Sequence, residues 1–363
     1  MSKLRKAQQH MAHHCCSTHS KGLFVGLSLL IMLLGGAPSL TMTASAAETD
    51  PDFPLNMEQL LSDLSDAHQP ELNVHQYPRS LEYHHQRWNV VDDRLVTEQV
   101  TLTVDHKPQR IIPHAVGLTE VLWAITEHER IASVHETCRN PSYSFLADQL
   151  PDSVPTYGRE DTEIVIGLCP DLVLTTYYSS SSFKNRLTLS HIPFIEMGFF
   201  GNITSIERQI NFIGKLVDAE TSAQHLVTTM QNSVVKIQEI VKQRLDGKPL
   251  RVLYYDRMGF VAGENSTFDS LCNTLGVENV ATQNGIKFFK QIGYETVLMW
   301  DPDIIIIPED SGLDKHLLGQ PILASAKAVR NKNIRTIPSV YLMASSQYTV
   351  ASLNYLGGVL YEK

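Results

Sequence analysis

Side chains that could hold a small molecule are concentrated in the segments that follow predicted strands. The rings of tyrosine and phenylalanine can pack against a large planar or aromatic ligand. Arginine guanidinium groups can pair with carboxylate or catecholate oxygens. The candidate binding residues are His114, Arg139, Tyr143, Tyr177, Tyr178, Phe199, Arg257 and Tyr341.

His114 is the sharpest of these candidates because it directly follows the first predicted strand of a parallel sheet. Three uses of this part of the chain stay open. His114 can be a hydrogen-bonded part of a cleft wall. It can ligate a bare divalent metal, with His135 and His191 as companions. Alternatively the ligand is haem, with Tyr143 placed to bind its iron.

Motifs of common enzyme classes do not occur in the sequence. It contains no G-x-S-x-G, no P-loop, no G-x-G-x-x-G and no H-E-x-x-H. A binding protein is therefore expected, and an enzyme is not.

The sequence segments that must position these residues occur as an internal repeat of two copies. The stretch "TEIVIGLCPDLVLTT" begins at Thr162, and "YETVLMWDPDIIIIPED" begins at Tyr294. Each contains an acid, Glu163 or Glu295, seven residues before a Pro-Asp pair and an apolar run. "KPQRII" and "KPLRVL" precede them, each followed by a segment with helical apolar spacing. Strands that alternate with helices indicate parallel sheets, so the repeat predicts two similar α/β lobes.

A segment without proline lies between the two lobes and predicts one long connecting helix. Asp218 or Thr221 could cap it, and an apolar stripe that includes Leu226 and Val235 would face the core. The predicted fold class is α/β, with two Rossmann-like lobes, parallel sheets, a single long helix between them and a ligand cleft between the lobes. Its predicted segments are a signal peptide (1–46), an N-terminal extension with a hairpin (47–105), a first lobe (106–217), the connecting helix (218–246) and a second lobe (247–363).

The first 46 residues have the pattern of a secretory signal peptide. Basic residues precede the apolar run "GLFVGLSLLIMLLGG", and Ala44-Ser45-Ala46 fits a cleavage site. A periplasmic location is expected. The chain of 363 residues carries a formal charge of −9, and removing four Lys/Arg with no acid would leave −13. Such an acidic protein is a poor candidate for binding nucleic acid.

The order of these motifs resembles a known family. An R-Φ-Φ strand start, Thr119-Glu120-Val121-Leu122 and the pattern E-x-Φ-x-x-L-x-P-D-L-V from Glu163 are similar to those of periplasmic binding proteins for iron–siderophore complexes and cobalamin. The resemblance covers about residue 100 to the C-terminus.

The resemblance implies a monomeric carrier without a cofactor that delivers a ferric siderophore, or a similar metal chelate, to an ABC permease dimer at the membrane. It implies that Glu163 and Glu295 dock on arginines of the two permease subunits. Charge-complementary docking of this kind sets orientation and association rate. Haem, cobalamin and a bare divalent metal held by His114 are the alternative cargoes.

Overall fold

A computed structural model describes residues 54–72, 75–89, 94–158, 161–244 and 247–361. The predicted signal peptide lies outside these described residues. Within them, none of the helices combines the length and the apolar character that crossing a membrane requires.

The N-terminal segment forms a helix and a β-hairpin before the first lobe. Helix α1 is Met57–Ser65, strand β1 is Arg79–Asn89 and strand β2 is Arg94–Val104. The two strands pair antiparallel along their whole length. Leu81, Tyr83 and His85 of β1 are buried and alternate with exposed neighbours. That alternation is the period of a strand with one buried face.

The first lobe alternates strands and helices. Its elements are β3 (Ile111–Pro113), α2 (Val116–Ile125), β4 (Val134–His135), β5 (Thr156–Tyr157), α3 (Thr162–Gly167), β6 (Leu172–Thr176), α4 (Ser181–Leu189), β7 (Phe194–Met197) and α5 (Ile203–Val217). The main sheet is parallel with strand order β3-β6-β7. Central strand β6 buries all of its residues, as expected for a parallel sheet covered on both faces.

Helix α6 (Glu220–Lys242) and the second lobe follow. The elements of this lobe are β8 (Arg251–Tyr254), β9 (Phe260–Ala262), α7 (Thr267–Leu275), β10 (Glu278–Asn279), α8 (Val280–Gln283), β11 (Phe289–Gln291), α9 (Tyr294–Trp300), β12 (Ile304–Pro308), α10 (Leu313–Leu318), α11 (Lys327–Arg330), β13 (Ile334–Ile337), α12 (Ser339–Met343) and α13 (Thr349–Tyr361). Its parallel sheet has the order β10-β8-β12-β13. The two-lobed α/β fold predicted from the repeat is confirmed.

The repeated phrase builds the same joint in each lobe. In the first lobe, the Asp171 carboxylate accepts hydrogen bonds from the backbone N–H groups of Gln109 (2.7 Å) and Arg110 (2.9 Å). The Arg110 guanidinium donates to the Leu168 carbonyl at 2.5 Å. The aspartate of Pro-Asp thus holds the entrance of the neighbouring strand, and the arginine satisfies a carbonyl at the end of α3, which a helix leaves without a partner.

The second lobe repeats these contacts. Asp303 accepts from the Arg251 N–H at 3.1 Å, and the Arg251 guanidinium donates to the carbonyls of Trp300 (2.8 Å) and Asp301 (2.7 Å) at the end of α9. Cys169 and Asp301 end the two helices with positive φ angles of 46° and 47°. The doubled phrase therefore fixes helix, strand and neighbouring strand relative to one another in both lobes.

Helix α6 connects the lobes over 23 residues, which corresponds to about 35 Å. Leu226 is buried as predicted, but Val235 is 52% exposed and lies outside the stripe. Neither predicted cap is used. Asp218 ends α5 and pairs with His75 at 2.5 Å, and the Thr221 N–H donates to Glu71 at 2.8 Å. A carboxylate of the N-terminal segment thus satisfies a free donor at the start of α6.

A buried carboxyl group lies where the two lobes meet. Glu120 of α2 is 2% exposed and accepts from Ser346 Oγ (2.5 Å), the Phe145 N–H (2.9 Å) and Ser144 Oγ (3.2 Å). Gln347 donates to its backbone carbonyl at 2.9 Å. Burial raises the pKa of Glu120 to about 7, although the three donors oppose the rise. The seam between α2 and the segment before α13 thus contains an acid that titrates near neutrality.

We expect Glu120→Gln to remove a pH dependence of stability. Because the folded-state pKa is above the usual 4.5, the stabilising contribution is complete below about pH 4.5 and is lost as the pH rises to about 7. The full change is about 3 kcal/mol at 1.4 kcal/mol per pKa unit. Urea unfolding measures the free energy of unfolding of both proteins at pH 5 and pH 8. Relative to the wild type, the variant should be more stable at pH 8 than at pH 5 by roughly that amount. The exposed Glu129→Gln is the control, and an equal difference at both pH values for Glu120→Gln would contradict the expectation.

Candidate functional site

Two adjoining cavities form one cleft between the lobes. The larger has a volume of about 420 Å³ and the smaller about 350 Å³. They share Tyr178, Met343 and Ser345 as lining residues. Both volumes fall in the range of small-molecule sites.

The cleft lies at the carboxyl ends of the parallel strands, as the sequence predicted. His114 follows β3, Tyr177 and Tyr178 follow β6, Phe199 follows β7, and Tyr254 ends β8. In open parallel sheets ligands bind beyond these ends, because the connecting loops there converge. The two sheets therefore supply the two walls.

Aromatic rings dominate the larger cavity. Phe199 of the first lobe meets Phe288 of the second edge to face, with ring centroids 5.8 Å apart. Tyr177 and Tyr178 form a second edge-to-face pair at 5.1 Å. Further rings come from Phe200, Tyr254, Phe268 and Phe289. Tyr254, Phe268, Phe288 and Phe289 were not among the residues predicted from the sequence, although the adjacent rings in "NGIKFFKQ" are a signal that could have marked the last two.

The lining carries almost no charge. Among the described residues that line the two cavities, Asp256 is the single charged side chain, and no lysine or arginine is present. A ligand in this cleft therefore meets faces of rings, hydroxyl groups and imidazoles instead of cations.

His114 is held in a stack of rings at the smaller cavity. Its imidazole lies 3.9 Å from the Phe183 ring centroid and nearly parallel to it. Nδ1 is 2.9 Å from Ser179 Oγ, and the Thr176 N–H donates to the same Ser179 oxygen at 3.0 Å. Nε2 is buried and has no hydrogen-bond partner among the described residues. Burial lowers the pKa of His114 to about 4, and the neighbouring His135 is a second, smaller cause of this shift. The imidazole is therefore neutral at physiological pH.

A bare-metal site finds no support in this geometry. The His114 and His135 rings are 6.3 Å apart, whereas His191 is exposed in a turn after α4. Across the part of the chain that is described, no three side chains of His, Cys, Asp or Glu come together as metal ligands.

Tyr143, Tyr177, Tyr178 and Phe199 line the cleft together with His114. Tyr143 borders the smaller cavity and is 44% exposed. Their contact with a ligand stays a prediction.

The remaining three candidates lie elsewhere. Arg139 donates to the carbonyls of Leu150 (3.0 Å), Pro151 (2.8 Å) and Val154 (2.9 Å), so it holds a loop. Arg257 is exposed in the turn between β8 and β9. Tyr341 stacks on Tyr355, with centroids 4.4 Å apart. None of the three borders either cavity. Sequence spacing placed them near the cleft but could not show which partners their side chains choose.

The two repeated acids lie on the surface in equivalent places. Glu163 is in the first turn of α3 and Glu295 is in the first turn of α9. The helix dipole stabilises a negative charge at this position. Glu163 forms an ion pair with Arg186 of α4. Glu295 is exposed and has no ion pair among the described residues. The two lobes thus present one paired and one unpaired acid.

Comparison with known proteins identifies the family. The family model described as "Periplasmic binding protein" matches residues 116–341, more than half of the chain. The chain belongs to this family. Members of this family are substrate-binding proteins.

Individual relatives are distant. The chain is 23% identical over 212 residues to the substrate-binding lipoprotein YvrC of Bacillus subtilis, covering 56% of this chain and 65% of that protein, slightly under two thirds of its length. It is 22% identical over 284 residues to the molybdate-binding protein MolA of Haemophilus influenzae, covering 69% and 79%.

Solved structures of the same fold include the periplasmic heme-binding protein RhuT of Roseiflexus sp. RS-1 (TM-score 0.61, 21% identity, 70% and 98% coverage). HutB of Vibrio cholerae is another (TM-score 0.56, 21% identity, 70% and 99% coverage). At such identities the likeness shows the shared fold.

We expect Arg139→Met to lower the free energy of unfolding by about 1–3 kcal/mol, because three carbonyls lose a charged donor. Arg257→Met is the matched control and should change it by less than about 0.5 kcal/mol. Urea denaturation of both variants measures this directly. An unchanged stability for Arg139→Met would show that the three hydrogen bonds do not hold the loop.

Proposed function

We propose that the protein is an extracytoplasmic carrier of an iron chelate with broad apolar faces, and that haem suits its cleft better than an anionic ferric siderophore. The observation that carries this proposal is the lining of the cleft, which is rich in rings and contains no lysine or arginine. A flat ring system gains from burial between aromatic faces. A catecholate chelate carries its negative charge on the oxygens around the metal, and these would lack the guanidinium groups that Arg139 and Arg257 were expected to supply. Haem carries its two carboxylates on one edge of the ring, which leaves both flat faces apolar.

The names of related proteins point in the same direction. RhuT is described as heme-binding, and BhuT, another structure of this fold with a TM-score of 0.61, as a complex with two hemes. MolA is described as binding molybdate, a small oxyanion that would leave most of an aromatic cleft unfilled. An uncharged ferric hydroxamate is the second candidate, because the same lining without cations would accept it.

His114 and Tyr143 are the proposed iron ligands. Both border the smaller cavity, and histidine and tyrosine are axial ligands that haem iron takes in proteins. The unpartnered Nε2 of His114 is a buried polar atom that costs free energy until a partner satisfies it. Its lowered pKa keeps a lone pair available on the neutral ring. Tyr143 is 44% exposed and lines the same cavity.

Titration of the purified protein with ferric haem, a ferric hydroxamate, a ferric catecholate, cobalamin and molybdate tests the proposal. Haem should bind saturably at one equivalent or more, with a shift in its absorption band. His114→Ala or Tyr143→Phe should weaken binding about tenfold or more and change that band, because an iron ligand is lost. Arg257→Met serves as the control and should bind as wild type. Saturable binding of the catecholate alone would overturn the proposal.

Glu163 and Glu295 are proposed to dock on the two subunits of an ABC permease. One exposed acid per lobe, each at the start of an equivalent helix, matches a partner with two-fold related basic pockets. Arg186 already neutralises Glu163, so we infer that Glu295 contributes more to docking. Electrostatic docking acts mainly on association rate and orientation.

The expected result is unequal loss of transport. Uptake of radiolabelled haem, measured in cells that carry each allele in place of the wild type, should fall about fivefold or more with Glu295→Gln. It should fall less with Glu163→Gln. Haem affinity of the purified variants should stay unchanged, and Glu129→Gln is the control for a surface acid. Wild-type uptake by the double variant would exclude the docking role.

A further inference from the structure

We propose that the N-terminal hairpin is part of the framework of the binding site, and that Tyr83 is a positioning residue for Phe199. The hairpin precedes the region matched by the family model. The inference rests on the proposed function in one respect, namely that the cleft beside Phe199 holds the ligand.

Strand β1 binds two consecutive backbone N–H groups of the segment that carries Phe199. The Gly198 N–H donates to the Tyr83 hydroxyl at 2.6 Å, and the Phe199 N–H donates to the Gln86 carbonyl at 2.8 Å. This segment leaves β7 and belongs to no strand of the main sheet. Buried backbone donors require partners, and here the hairpin supplies them.

Tyr83 is itself fixed by helix α5. Its ring stacks on Phe212 with centroids 3.9 Å apart and an angle of 16°. Its hydroxyl donates to Gln209 Oε1 at 2.9 Å while accepting from Gly198. The side chain is 5% exposed. The hydroxyl is therefore a rigid acceptor that transmits the position of α5 to the segment.

Gly198 allows the hairpin to approach this closely. A Cβ atom at this position would lie 2.8 Å from the Gln86 carbonyl oxygen and 3.0 Å from the Tyr83 hydroxyl. Any larger residue would have to push the hairpin away. The close approach is thus built into the sequence at both sides of the contact.

Polar contacts attach the same end of strand β1 to the first lobe. His85 lies 3.6 Å from Glu196 of β7, and Lys184 of α4 pairs with the same carboxylate at 2.6 Å. Arg208 of α5 donates to Gln86 Oε1 at 3.2 Å. Strand β1 therefore contacts two elements of the first lobe, β7 and α5, around the Phe199 segment, and α4 joins them through Glu196.

The consequence reaches the cleft through Phe199. Its ring borders the larger cavity and meets Phe288 of the second lobe. A segment held by two hydrogen bonds presents this ring in one position, and a preorganised site loses less free energy to ordering when a ligand binds. The other face of the hairpin is exposed and includes Glu82, which accepts from the Thr101 hydroxyl at 3.0 Å and lies on the side of β1 opposite to Tyr83.

Tyr83→Phe tests the inference because it keeps the ring that stacks on Phe212 and removes only the hydroxyl. We expect about tenfold weaker binding of ferric haem, through faster dissociation, under conditions where the variant is fully folded. Amide hydrogen exchange of a peptide covering residues 194–202 should become faster in the protein without haem. Gly198→Ala should act in the same direction, and Glu82→Gln on the exposed face should leave both measurements unchanged.

Unchanged exchange and unchanged haem dissociation in Tyr83→Phe and Gly198→Ala would overturn the inference. Faster exchange with unchanged haem dissociation would also overturn it, because the hairpin would then be structural only. If the wild type binds no haem, the proposed haem cargo is wrong. Faster exchange in Tyr83→Phe and Gly198→Ala would still confirm that the hairpin holds the segment. A ferric hydroxamate, measured in the same way, would then show whether that hold affects binding.

Discussion

The architecture depends on one joint that occurs once in each lobe. An aspartate at the start of the central strand binds the N–H groups of its neighbour, and an arginine from that neighbour binds the last carbonyls of the preceding helix. These contacts satisfy backbone groups that a buried βαβ unit would otherwise leave unpaired. They lie at the amino ends of the strands, and the cleft lies at the opposite, carboxyl ends.

Contacts between the lobes add a second constraint. Helix α6 spans both, and its buried stripe belongs to one hydrophobic cluster that also contains residues of α2, α7 and α13. The seam at Glu120 adds a hydrogen-bonded carboxyl group without solvent around it. Burying a carboxyl group favours its protonated, uncharged form, so the pKa of Glu120 is raised where the two lobes touch. The cleft opens beside this seam.

The chemistry of the cleft follows from the absence of lysine and arginine among the described residues that line it. Arginines that could have met an anion are used for the fold, as Arg139 shows with its three carbonyl partners. What remains is a surface of rings with imidazole and phenol groups at one end. Such a surface fits the ligand that we propose, a chelate with flat apolar faces and a metal that accepts nitrogen or oxygen ligands. The N-terminal hairpin adds stiffness to one of these rings.

The sequence by itself determined the two-lobed α/β fold, the connecting helix and the side of the sheets on which the cleft lies. Apolar runs, helical spacing and a repeat at domain scale are local patterns, and local patterns survive in a linear chain. They also placed His114, Tyr177, Tyr178 and Phe199 at the cleft.

Only the tertiary structure decided what each polar side chain does. Arg139 and Tyr341 lie in segments that the sequence placed near the cleft. The Arg139 side chain donates to backbone carbonyls, and the Tyr341 ring stacks on Tyr355. Tyr83 lies 115 residues from Gly198 along the chain and still binds it. Partner choice depends on distances between residues far apart in sequence and on the cost of leaving a buried polar group unpaired. Neither quantity exists until the chain has folded.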